Sequence, residues 1–127
     1  MEDAAVPLAL RRWFVVHFVV DLLVAVPLLV APRPTLFLLG WREVDPAMSR
    51  VVAAALFAIG IQSLLVRNES RPVLLAMLKL KMVWSGFAIL GILVSALQGA
   101  PPFAWLFLMV FAAFATVWWR YWLLLRR

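Results

Sequence analysis

Four long apolar stretches, separated by short polar breaks, divide the chain. The first covers residues 13–31 (WFVVHFVVDLLVAVPLLVA), with one acid, Asp21, and His17 one helical turn before it. The others cover residues 47–66, 73–97 and 103–125. Each is about long enough to cross the hydrocarbon core as a helix. The breaks between them carry the turn signals. Pro32 and Pro34 end the first stretch, Asp45-Pro46 offers a capping acid and a first-turn proline for the second, and Pro101-Pro102 precedes the fourth. The pattern predicts an all-α polytopic membrane protein. Its short loops force antiparallel neighbours, giving an up-down four-helix transmembrane bundle in one domain, residues 1–127.

Smaller features refine the elements. Pro27 removes a backbone donor inside the first helix and predicts a kink in its last third. Residues 35–41 (TLFLLGW) are too few to span and read as an interfacial piece anchored by Trp41. Ala54, Ala58 and Gly60 would allow close helix approach. Residues 1–10 are mildly acidic and read as loosely ordered. Arg11-Arg12 before an apolar stretch imitates a secretory or twin-arginine signal. Asp21 inside the would-be apolar core, and the lack of a small-x-small site before Pro32, argue against cleavage. Asn68-Glu69-Ser70 matches a glycosylation sequon, but a turn this short and close to the membrane is a poor acceptor.

Charge gives the orientation. Arg11, Arg12, Arg67, Arg71, Arg126 and Arg127, with Lys79, Lys81 and Arg120 leaning the same way, fall on one face; Arg33, Arg42 and Arg50 fall on the other. Nine against three places both termini in the cytoplasm, and so the chain in a cell (inner) membrane. Trp13, Trp118, Trp119, Tyr121 and Trp122 would form the inner aromatic belt and Trp41 and Trp105 the outer one, while Trp84 falls near mid-membrane as core packing.

Composition narrows the function classes. The chain is 67% hydrophobic and 14% charged, so the lipid bilayer is the solvent for most of its surface. The net charge of +6 is spread over helix ends in runs no longer than two, which suits anionic headgroups and not nucleic acid. Without cysteine there is no disulfide, iron–sulfur or thiol chemistry, and one histidine cannot build a multi-histidine metal site. One intramembrane carboxylate cannot form an acid–base pair, no serine–histidine constellation stands out, and no glycine-rich phosphate loop exists. The expectation is a protein without enzymatic activity or cofactor.

The candidate site is a polar layer inside the membrane. At a rise of about 1.5 Å per residue, Asp21 lies roughly 13 Å from the inner face, Lys79 and Lys81 roughly 12–15 Å, and Arg120 roughly 10 Å. His17, Gln62 and Ser63 lie in the same half, so four helices each place hydrogen-bonding groups in one layer. Lys79 and Lys81 stand about 200° apart on a helix and cannot both face inward. Ser85, one turn after Lys81, extends a polar stripe and selects Lys81 for the interior; Lys79 then snorkels to the headgroups. The expected cluster is His17, Asp21, Gln62, Lys81 and Arg120, with Lys79, Ser63 and Ser85 secondary and Asp21 paired with a lysine.

Three functions are open to such a chain. It can be a structural or accessory bundle that forms a homo-oligomer or joins a larger membrane complex. It can be a small oligomeric transporter or channel with a cytoplasm-facing polar cavity. It can be a haem- or pigment-binding subunit through His17. The order of features resembles the DoxX-like group of small four-helix prokaryotic membrane proteins and its relatives: a first span ending in prolines, then TLFLLGW, then Asp45-Pro46, then an arginine-containing turn. The likeness covers the whole chain and is one of layout. It implies a four-helix membrane bundle, sometimes associated with redox complexes, and assigns no functional residue.

Overall fold

The computed structural model describes residues 6–127, which are helical apart from short breaks and contain no strand. The elements are α1 (Leu8–Val30), α2 (Pro32–Leu38), α3 (Pro46–Val66), α4 (Arg71–Leu97) and α5 (Phe103–Leu125). By length and composition α1, α3, α4 and α5 can each cross a membrane, and they pack as an antiparallel bundle. The first helix starts earlier than the apolar pattern suggests. The reading of residues 1–10 as loose falls partly on residues 1–5, outside the described chain; from Leu8 the chain is helical, and Leu10 is fully buried. Pro32 and Pro34 do more than end α1. Proline lacks the donor that a first-turn residue does not need, and Pro32 opens the short helix α2. The interfacial piece therefore begins three residues before the expected 35–41 and ends at Gly40, whose φ of +101° favours glycine. Asp45 caps α3 as the sequence suggests, accepting from the backbone N–H of Ala47 (2.8 Å) and Met48 (3.2 Å).

The helices associate as two close pairs, α1 with α3 and α4 with α5. Arginines tie the helix ends. On one face, Arg11 Nη1 donates to the Arg67 carbonyl (2.7 Å), and Arg71 donates through Nε (2.8 Å) and Nη2 to the Leu125 carbonyl. The start of α1, the α3–α4 turn and the end of α5 therefore share that face, as the charge pattern requires. On the other face, Arg50 Nε donates to the Leu29 carbonyl (3.1 Å), and Gly40 sits so close to Pro101 that a Cβ there would come within 2.9 Å of its ring.

Gly60 lets α1 and α3 approach: a Cβ on it would lie 3.0 Å from Asp21 Cβ. Its expected partners Ala54 and Ala58 do not contribute. Both are exposed, and Ala53, one residue off that stripe, is the buried alanine.

Packing differs between the two halves of the bundle. The half toward the arginine-rich face holds a continuous core of Leu10, Phe14, Leu74, Leu78, Trp118 and Leu125. The other half has only a small cluster, Ala25, Leu28, Ala53 and Leu56, contributed by α1 and α3. Past Ser85, α4 buries no further residue, and between Ala104 and Trp118 α5 buries none. The two helix pairs are thus clamped at one end and looser at the other.

A buried lysine at the crossing of four helices

Lys81 of α4 sits at the top of the tight half and is fully buried. Its Nζ donates to Ser63 Oγ of α3 (2.6 Å) and lies 2.7 Å from His17 Nδ1 of α1. The direction of that second bond follows the imidazole tautomer. The rings of Phe14 (α1) and Trp118 (α5) flank the ammonium at 4.9 and 4.6 Å from their centroids, within cation–π range. One side chain thereby touches all three other spanning helices. Ser63 passes the chain of bonds on, its Oγ donating to the Ile59 carbonyl (2.6 Å). Phe114 stacks on Trp118 at an interplanar angle of 12°, and both meet His17 edge-on, so the imidazole is held by aromatic faces as well as by Lys81.

Asp21 stands at the end of this chain. Its Oδ2 lies 3.3 Å from His17 Nδ1, one turn away, and has no hydrogen-bond partner. His17 explains this. Nδ1 holds at most one proton, so it cannot both accept from Lys81 and donate to Asp21. The expected direct Asp21–lysine pair is therefore not formed. Among the described residues the one contact within ion-pair distance is His17 with Asp21, and Lys81 reaches the carboxylate through the imidazole. Lys81 thus stands one imidazole away from the buried carboxyl group.

The inward choice of Lys81 over Lys79 is what the structure shows: Lys79 is exposed on the lipid side. Ser85 is buried on the Lys81 face but outside the hydrogen-bonded set. Two expected members are corrected. Gln62 and Arg120 are both exposed and face away from the cluster. Each has the right depth and the wrong helix face. The inward stripe of α3 runs through Ala53, Leu56, Gly60 and Ser63, and that of α5 through Trp118, Tyr121 and Leu125. Trp118 and Tyr121, read as belt residues, are core. Trp118 forms one wall of the lysine site, a role that its spacing four residues after Phe114 could have signalled.

Beneath the cluster, toward the arginine-rich face, Leu10, Leu74 and Leu78 are fully buried and close the bundle. No protein-family model matches the chain, and neither a curated protein nor a solved structure matches it.

Proposed function

We propose that this integral membrane protein is a non-enzymatic structural or accessory unit of a prokaryotic inner membrane, with both termini in the cytoplasm. It self-associates or docks on a larger membrane complex. The observation that carries this reading is the enclosure of Lys81, whose polar contacts are protein groups from α1 and α3 and whose remaining surroundings are aromatic. A transported ion or proton would need a wet route to that layer, and the leucines beneath it supply none from the cytoplasmic side. Haem ligation through His17 would need the imidazole freed from Lys81, Phe114 and Trp118. The arginine distribution supports the orientation, and the layout shared with the DoxX-like group supports an accessory role.

Two measurements test this reading together. In liposomes the purified protein is expected to give no proton or ion flux above protein-free vesicles. Native mass spectrometry from a mild detergent is expected to show a homo-oligomer or a second protein, with no cofactor mass. Flux that disappears in Asp21→Asn would contradict the proposal and favour the transporter reading.

A further inference from the structure

The looser half of the bundle holds two adjoining cavities. The inner one, about 50 Å³, lies between α1, α3 and α5. It is bordered by His17 and Asp21 at one end and otherwise by apolar groups such as Val24, Leu56 and Phe107. The outer one, about 290 Å³, lies between α1, α2 and the start of α5, and Val24 and Phe107 line it too. The two are therefore neighbours across a shared wall, and together they run from α2 at the membrane surface to the polar cluster.

Asp21 is the unsatisfied group at the inner end. Its side chain is 7% exposed, and its Oδ2 is fully occluded with no hydrogen-bond partner among the described residues. Asp21 lines the inner cavity, so the carboxyl group borders space that a ligand could fill. A second acceptor lies farther out. Pro27 has no N–H to give the Leu23 carbonyl, and both residues line the outer cavity.

Charge and wall chemistry select the occupant. Lys81 already stands one imidazole away from Asp21, so a cationic ligand would place a further basic or charged group in an apolar site. A neutral donor brings none. Water alone is a poor filling for the inner cavity, since a buried water needs two to four polar partners and the polar side chains there lie at one end. A molecule with one hydroxyl and an apolar tail matches both the donor requirement and the walls.

We infer that the crevice between α1 and α5 is a binding site for a neutral, membrane-dissolved amphiphile, whose hydroxyl head donates to Asp21 and whose tail lies along Val24 and Phe107 toward α2. This inference is independent of the accessory role.

The test uses the full chain in lipid nanodiscs and a long-chain alcohol carrying a photoreactive diazirine, with labelled residues mapped by mass spectrometry. Saturable labelling of crevice residues on α1 and α5 is expected. A hydrogen bond to a carboxylate should make 1-decanol about tenfold better as a competitor than decyl methyl ether, which has no donor. Val24→Phe, which narrows the shared wall, should reduce crevice labelling while leaving the lipid-facing labelling of Val19 and Leu106 unchanged. Equal competition by alcohol and ether, or labelling confined to lipid-facing residues, would overturn the inference. If Val24→Phe does not fold, the alcohol–ether comparison on the unmodified protein decides alone.

Discussion

Lys79 and Lys81 are the chain's only lysines, two residues apart at nearly the same membrane depth, yet they occupy opposite environments. One is exposed on the lipid side, where its stem can carry the amine to the headgroups. The other is enclosed by hydrogen bonds and rings from three helices. The two amines should differ in reactivity. Treatment of the folded protein with an amine acylating reagent is expected to modify Lys79 and spare Lys81, and denaturation should expose both; fragment mass spectrometry resolves the two positions. Equal modification in the folded state would show that Lys81 is not enclosed. At this scale the sequence was legible to depth and only partly to direction. Counting residues from the membrane ends placed His17, Asp21, Ser63 and Lys81 in the correct layer, and the one-turn spacing to Ser85 selected the buried lysine. It also admitted Gln62 and Arg120, because depth along a helix says nothing about the side of the helix. Gln62 and Ser63 are one residue, about 100°, apart, and only the latter meets Lys81. That His17 would stand between Asp21 and Lys81 was not readable, since the lateral spacing of α1 and α4 depends on the aromatic side chains between them.

The helices show why the faces were hard to choose. Inward residues recur at three- and four-residue steps, through Leu10, Phe14, His17, Asp21, Ala25 and Leu28 on α1, and through Leu74, Met77, Leu78, Lys81 and Ser85 on α4. In a soluble protein the outward face would be polar and the stripe obvious. Here lipid covers the outward face, so it is as apolar as the inward one and the periodicity nearly vanishes. The surviving signals are small residues at close approaches and polar residues at the core. Gly60 is such a signal, and it carries a prediction about elements. Gly60→Leu should force α1 away from α3 by pressing on Asp21, costing about 1–3 kcal/mol as overpacking does. Gly86→Leu on α4, where a Cβ meets nothing within 4 Å, should cost little. Thermal unfolding in a mild detergent separates the two; an equal effect would mean that Gly60 is not a contact point. The breaks between helices were the most legible elements. Asp45-Pro46 opens α3 as read, and Pro32 was misjudged only because a proline that stops one helix can start the next.

In the whole molecule the arginine-rich half is packed and the opposite half is open, with Lys81 at the boundary. The four spans and their alternating direction follow from hydropathy and charge, and Arg11 with Arg67 and Arg71 with Leu125 bring the expected ends to one face. The pairing followed for the consecutive spans α1 with α3 and α4 with α5, but not for the middle pair. Short loops suggest that each span packs on the next, yet α3 and α4 touch little although only residues 67–70 separate them. Gly60 and Ala53 let α1 and α3 close on one another, whereas Met77, Lys81 and Trp84 project from α4 and occupy the space between the pairs. Lys81 then becomes the joint between two halves that otherwise meet through aromatic and aliphatic contacts. The most direct test of this account compares the unfolding midpoints of Lys81→Met and Lys79→Met in one detergent. Lys81→Met strips His17 and Ser63 of their partner and leaves Asp21 uncompensated, and breaking a buried charge cluster in this way is expected to cost about 3–5 kcal/mol. Lys79→Met, on an exposed face, should stay within about 0.5 kcal/mol of the unmodified protein. Coincident unfolding of both variants with the unmodified chain would contradict the role given to Lys81.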